Sequence, residues 1–310
     1  MNETSTASLV RDVREGSRWT PGQRAKNALI YAGLRAALFF AERLAETDLR
    51  AFGRFVGEAA HVLARRERET ARANVARVFP ALDEGARNAL VHANFTKLGD
   101  DLAAAVHAMT RGGFAPLPLA AEDACILQSA LDEGRGVVFV SAHLGPWEQV
   151  AATMVARGFP LTTIARESYD PRLTTLYDRL RGRHGVRAIY RGAPGASLKA
   201  MRHLKAGKML GIVMDLASRV PSVPVPFLGH EAPTAVGPAR LALRSGARVV
   251  VATAAPTPNG EVGVTIEAIE TRDLSSGLEG EVELTQRLND ALSRRIRALP
   301  ERWIWMHPRW

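Results

Sequence analysis

A histidine at the end of an apolar run is the strongest chemical signal in the sequence. The run GVVFVSA ends at His143, and Leu144, Gly145, Pro146 and Trp147 then lead to Glu148 and a helical pattern. Polar catalytic groups in open α/β sheets gather at the carboxyl ends of strands, which is where such a run would deliver His143. A spacing of five does not bring two side chains together on one helix. Across a Gly-Pro turn, however, the chain can fold back and carry Glu148 to the imidazole. A carboxylate on one ring nitrogen fixes the tautomer and raises the basicity of the other. His143 would then serve as general base for a hydroxyl. The bland alternative is a structural histidine, with Glu148 merely favouring the positive end of a helix.

Further polar landmarks follow at the ends of later apolar runs. Arg166 closes LTTIAR, Arg191 follows VRAIY, and Asp215 ends MLGIVMD. A strand-end carboxylate such as Asp215 could bind a sugar hydroxyl, pair with an arginine or orient a catalytic group. The lone cysteine, Cys125, sits in an amphipathic pattern and reads as a buried small apolar residue rather than a nucleophile. With one cysteine no intrachain disulfide forms, which suits an intracellular or cytoplasm-facing chain.

These landmarks need a scaffold. From residue 120 onward strands and helices alternate, which predicts an α/β fold with a mainly parallel sheet flanked by helices. Predicted strands are 136–142, 161–166, 186–190, 209–215, 248–255 and 261–270. Helices are expected at 122–134, 147–157, 171–183, 197–208, 238–247 and 281–298, and 220–238 reads as a Pro-rich loop. Residues 48–110 read as mostly helical, with Asp83 a helix N-cap. The expected organisation is a flexible basic N-terminus at 1–26, a helical region at 27–115 and an α/β domain at 116–310. The helix at 27–44 has an apolar core too short to span a bilayer. With its basic approach and Phe39-Phe40, it reads as a membrane-surface helix or an ordinary core helix. No cleavable signal peptide is expected, since the N-terminus is polar.

The 310 residues carry a formal net charge of +9, unevenly spread. Residues 161–250 hold 15 basic and 5 acidic side chains, and within them 166–208 hold 11 and 3. Such a cluster suits an acidic partner. Arginines such as Arg166, Arg181 and Arg191 suit phosphate, because the planar guanidinium donates two hydrogen bonds at once.

Taken in order, these landmarks resemble the lysophospholipid acyltransferase superfamily, in particular the lauroyl/myristoyl lipid A biosynthesis acyltransferases of Gram-negative bacteria. The resemblance rests on His143 followed by Glu148, Arg166 after the next strand, and Asp215 at a later strand end. It continues through VPFLGHEAPTAVGPARLA and the closing Trp303, Trp305, His307 and Arg309; RANVARVFP fits the N-terminal half. Leu216 stands where the family usually has Gln, and PSVPVPFLG is less typical before the loop. The resemblance spans roughly residues 27–310 and implies a glycerolipid acyltransferase-like fold.

It also implies transfer of a fatty acyl group from a thioester, on acyl carrier protein or CoA, to a hydroxyl of a lipid A precursor or related glycolipid. This would take place at the cytoplasmic face of the bacterial inner membrane. His143 would take the hydroxyl proton and Glu148 would orient His143 and stabilise the imidazolium. Backbone N–H groups near Gly145 or Gly237, or Arg166, would stabilise the oxyanion. Arg166, Asp215, Arg191 and Arg181 would meet substrate. No cofactor or metal is implied.

Rival readings carry less. A thioesterase-type hydrolase would need only water in place of the acceptor. Acylation of another lipid, such as a lysophospholipid or amino lipid, is a variant of the same chemistry. Nucleic-acid binding would account for the basic charge, but aromatics are only 6% and interleave poorly with it. No G-x-S-x-G elbow, histidine pair with metal-ligand spacing or G-x-G-x-x-G after a strand is present.

Overall fold

The structure is a computed structural model that describes residues 19–110 and 115–310. The expected flexible N-terminus lies outside the described residues as far as Arg18. From Pro21 the chain is helical, because Thr20 and Gln23 form a reciprocal capping box and Pro21 fits the first turn. Helix α1 therefore covers Pro21–Ala41 and starts earlier than the expected 27.

Three more helices follow: α2 Glu46–Leu63, α3 Arg65–Val78 and α4 Glu84–Thr110. Asp83 caps α4, accepting from the Ala86 N–H at 2.7 Å. Helices α2 and α4 touch backbone to backbone through Gly53, Gly57 and Gly99. A Cβ at Gly53 would stand 2.6 Å from the Ala103 Cβ and collide with the Gly99 carbonyl.

The α/β part begins with α5, Ala121–Asp132. Cys125 lies on its exposed side, so the expectation of a buried cysteine is corrected: the apolar side of α5 is carried by Leu127 and Ala130. Strand β1, Val137–Ser141, is buried throughout. It is followed by α6 Trp147–Ala156, β2 Leu161–Arg166, α7 Pro171–Gly182 and β3 Arg187–Arg191. Then come α8 Ala196–Lys205 and β4 Met209–Val213.

The expected loop at 220–238 is a hairpin of β5, Ser222–Phe227, and β6, His230–Ala235. Prolines 224, 226 and 233 sit on its exposed side, with Pro224 opposite Pro233. Counted from the closing pair Phe227–His230 these are the positions whose N–H groups point away from the partner, so the ladder tolerates them. The two-residue turn, Leu228 (φ 54°) and Gly229 (φ 92°), has both residues in the left-handed region, as hairpin twist requires.

Helix α9 Gly237–Ser245, strands β7 Arg248–Pro256 and β8 Val262–Ile269, and helix α10 Leu278–Ala298 complete the regular elements. The main sheet has the order β3-β2-β4-β1-β7-β8, parallel except for β8. Its centre, β1 between β4 and β7, is covered on both faces, which explains the unbroken apolar run there. The last residues return to the helical region: Asn94 donates to the carbonyls of Glu301 and Trp303, and Asn74 to those of Trp305 and His307.

Candidate active site

Strand register brings the two central side chains together. Ser141 of β1 pairs with Val213 of β4, so the residues two beyond each, His143 and Asp215, leave the sheet side by side. His143 Nδ1 lies 2.9 Å from Asp215 Oδ1, and the His143 backbone N–H donates to Oδ2 at 2.9 Å. The Trp303 indole donates to Oδ2 at 2.8 Å. Asp215 is fully buried, whereas the His143 side chain is 24% exposed. An ionised Asp215 fixes the proton of His143 on Nδ1 and leaves Nε2 as the basic nitrogen.

The electrostatics agree with the geometry. Burial alone would push the His143 pKa down; the charge and hydrogen bond of Asp215, with a smaller pull from Glu148, overcome this and raise it. Burial would push the Asp215 carboxyl up, but the His143 and Trp303 contacts hold it below the usual carboxylate range.

Glu148 does not hold the imidazole, contrary to expectation. It lies in the first turn of α6, and its carboxylate meets the Arg181 guanidinium of α7 edge to edge, Nε to Oε2 at 2.9 Å and Nη2 to Oε1. The Gly145-Pro146 turn carries it past the ring toward α7. Asp215 instead stands against Nδ1, fully buried and accepting from His143 and Trp303.

His143 opens into a cavity of about 970 Å³ that Gly145, Glu148, Arg166, Arg181, Arg191 and Gly237 also line. Arg166 and Arg191 are register partners at the ends of β2 and β3, and the Arg166 guanidinium lies 4.7 Å from the Tyr169 ring centroid. The Gly145 N–H is already bonded to the Arg302 carbonyl at 3.0 Å, so it is not a spare oxyanion donor. Gly237 opens α9, where helix geometry leaves N–H groups without intrahelical acceptors.

Several contributors were not singled out for a role in the sequence. Trp303 is buried and braces Asp215, while its neighbour Arg302 pairs with Asp101 of α4. Burial, opposed by Arg302, pushes the Asp101 carboxyl up to about 6. His307 lines the cavity, and its pKa is lowered by burial despite the nearby Asp215 charge. Trp303 and His307 stood in the sequence only as part of the closing alternation of tryptophan, histidine and arginine.

Known proteins give the context. The phosphatidylinositol mannoside acyltransferase of Mycolicibacterium smegmatis is 26% identical over 189 residues, 59% of this chain and 60% of that protein. The protein of the same name from Mycobacterium tuberculosis is 25% identical over 189 residues, 59% of this chain and 57% of its own length. The chain thus spans less than two thirds of the length of these relatives. Residues 23–310 match the family described as bacterial lipid A biosynthesis acyltransferase, from α1 through the closing tryptophans. With nearly every described element inside that match, this chain belongs to the bacterial lipid A biosynthesis acyltransferase family.

Proposed function

We propose that the protein transfers a fatty acyl group from a thioester donor to a hydroxyl of a glycolipid acceptor, with His143 as base and Asp215 as its orienting carboxylate. The observation that carries this reading is the Nδ1 contact of His143 with buried Asp215 at the mouth of a large, mostly apolar cavity. His143 Nε2 takes the proton of the acceptor hydroxyl as its oxygen attacks the thioester carbonyl. Arg166 and the α9 terminus at Gly237 supply positive charge for the tetrahedral oxyanion. The intermediate collapses, the C–S bond breaks, and the imidazolium returns its proton to the leaving thiolate. Ester and free thiol result, and no covalent enzyme intermediate is required.

Glu148 has a different part in this scheme. It holds Arg181 at the cavity wall and adds negative potential near the imidazolium. The donor is an acyl group on acyl carrier protein or CoA. The relatives' names point to glycolipid acceptors as a class, and a lipid A precursor is the specific acceptor we propose. The site of action is the inner membrane, reached at its cytoplasmic face. No helix among the described residues is long and apolar enough to cross a membrane, so docking would use the exposed apolar side chains of α1 and α2.

The test is a reconstituted reaction. Purified protein, acyl carrier protein loaded with 12- to 16-carbon chains and a tetra-acylated lipid A precursor are combined, and lipid products are read by mass spectrometry. These probe compositions follow from the acyltransferase reading itself. A new acyl ester that disappears with His143→Ala is the expected result. Release of free fatty acid that is indifferent to any acceptor, total lipid extract included, would replace acyl transfer with thioester hydrolysis.

A further inference from the structure

Helix α8 joins the carboxyl end of β3 to the amino end of β4, and its ten residues span about 15 Å. At its first turn Ala196 and Ser197 line the cavity. Leu198, Arg202 and Lys205 follow at spacings of four and three, so they form one stripe along the helix. Leu198 is 53% exposed, and Arg202, Lys205 and the adjacent Lys199 are exposed as well. The opposite side is buried through Ala200 and Leu204. Exposed Arg187 and Lys208 stand at the amino ends of β3 and β4, beside the last turn. Their proximity is felt by His203: burial, aided by the charges of Lys208 and Arg187, pushes its imidazole down against the pull of the Met209 carbonyl.

The fold does not neutralise these charges. Arg187, Lys199, Arg202, Lys205 and Lys208 make no ion pair among the described residues. From residue 179 to 230 the one acidic side chain is Asp215, which is buried against His143. Like charges one helical turn apart repel, and Lys199, Arg202 and Lys205 are spaced in that way. A carboxylate-bearing surface laid along α8 relieves the repulsion and is drawn to it from solution.

The position of α8 favours a protein over a bilayer as that surface. The crossovers from β1 to β2 and β2 to β3 run one way along the sheet, and that from β3 to β4 runs back. Right-handed connections therefore put α8 on the face opposite α6 and α7. Helix α1 packs on α7 through Leu38, Leu176 and Leu180, and α2 is tied to α4 by Arg50 and Arg54 on Asp100. A bilayer met by the exposed Phe40 and Phe55 of these helices leaves α8 facing water. One exposed leucine among cations also offers little to insert, whereas an apolar contact inside a charged rim is the make-up of a protein interface. A CoA thioester seated in the cavity gains little from Lys205, Lys208 and Arg187, which lie a helix length from the rim.

We infer that the outer stripe of α8, flanked by Arg187 and Lys208, is the docking surface of an acidic protein that carries the acyl thioester on a flexible arm. Leu198 supplies the apolar contact at the rim, and the cations meet carboxylates further along the helix. The arm enters beside Ala196 and Ser197 toward His143. This inference rests on the acyltransferase reading and selects the carrier protein, rather than CoA, as the donor this surface serves.

Binding is measured in the His143→Ala background, so that it is independent of turnover. The probes are fluorescently labelled, acyl-loaded bacterial acyl carrier protein, acyl-CoA with the same chain, and vesicles containing phosphatidylglycerol. The first variant is Lys199→Glu with Arg202→Glu; neither residue lines the cavity. Lys205→Gln with Lys208→Gln is the milder second, read in its place if charge reversal lowers the thermal midpoint. Arg65→Glu with Arg66→Glu reverses as many exposed charges at the start of α3 and serves as control.

Carrier affinity is expected to fall about tenfold in the first variant, the size of a few exposed ion pairs lost or reversed. The difference should shrink as salt is raised, and acyl-CoA should bind all variants alike. Carrier binding that is absent in the parent, unchanged in both α8 variants or weakened as much in the α3 control would overturn the docking surface. Loss of vesicle binding in place of carrier binding would give α8 to the bilayer instead. Carrier binding that depends on α8 in a protein that transfers no acyl group would keep the surface and remove the proposed reaction. Transfer from the carrier that runs equally in otherwise unmodified protein and in the α8 variants would keep the reaction and remove the surface.

Discussion

Trp303 donates its indole N–H to Asp215 Oδ2 at 2.8 Å, joining the end of the chain to the end of β4. The contact completes a carboxylate whose other donors are the ring and the backbone of His143. A buried carboxylate stays ionised when such donors offset its desolvation. The His143–Asp215 pair is therefore held from both the sheet and the C-terminal segment. That segment is itself fixed by Asn74, Asn94 and the Asp101–Arg302 pair in the helical region.

Asp215→Asn and Glu148→Gln separate the two carboxylates. The amide at 215 keeps the shape but no longer enforces the Nδ1–H tautomer, and a loss of about 10³–10⁴-fold in kcat is expected from such a change. Glu148→Gln loosens Arg181 without touching the imidazole bond, so its loss should be smaller and weighted toward KM. Steady-state kinetics on both variants decides. Equal collapse of kcat in the two would restore Glu148 as the orienting group.

Trp303→Phe keeps most of the aromatic volume and deletes one donor. The ring packs against Trp305 and Phe227, so the cavity left is small. Leaving one oxygen of a buried carboxylate short of a partner costs about 1–3 kcal/mol. Chemical denaturation should show that loss together with reduced kcat. Full stability and full activity would mean that the indole bond does not contribute.

The pH dependence follows from the raised pKa of His143. Only the neutral imidazole accepts a proton, so kcat/KM should fall on the acid side with a midpoint above the usual value of about 6.5. Stability moves the opposite way. The folded protein holds this proton more tightly than the unfolded chain, so the contribution is fully present below about pH 6.5 and is lost as pH rises through the folded value. Removing the Asp215 charge leaves burial dominant, so the imidazole midpoint in Asp215→Asn should move down. Ring-proton NMR on both proteins would follow it. A midpoint that stays put would contradict the pairing.

Much of this architecture is legible in the sequence, and the exceptions share a cause. The β1 run and the alternation after it set the α/β order, because central parallel strands are apolar on both faces. His143 could be picked out because it ends that run. Its partner could not be fixed: Asp215 was one candidate for orienting a catalytic group, but it is adjacent only through the β1–β4 register, which no local pattern encodes. The β5–β6 hairpin was hidden by prolines 224, 226 and 233, which are harmless only at the outward positions of a two-stranded ribbon.

Gly99→Ala tests the close contact of α2 and α4. Its added methyl would drive into the Gly53 carbonyl, and backbone has no rotamer to yield. The helices must separate, at a cost of about 1–3 kcal/mol. Thermal unfolding should show a lower midpoint. A control at Gly33, where a Cβ meets nothing within 4 Å, should be neutral or stabilising because alanine favours helix. Equal effects at the two positions would argue against the backbone contact.

The apolar side chains of α1 and α2 give the last prediction. Most exposed large apolar residues among the described ones lie on these helices, including Phe40 at 62%, Phe55 at 65% and Leu63 at 80% exposed. Arg35, Arg43, Arg50 and Arg54 are interspersed with them. On α4, Leu102 is 60% exposed and also lines the cavity, so the apolar surface continues toward the cavity. Apolar side chains flanked by arginine suit the interface of an anionic bilayer, where insertion of each large side chain contributes about 1.5–3 kcal/mol. Replacing Phe40 and Phe55 by Ser should reduce sedimentation with anionic vesicles more than tenfold by that measure, while folding and the His143–Asp215 pair are untouched. His143→Ala should bind vesicles like the parent protein. If the double variant still sediments fully, α1 and α2 are not the docking face.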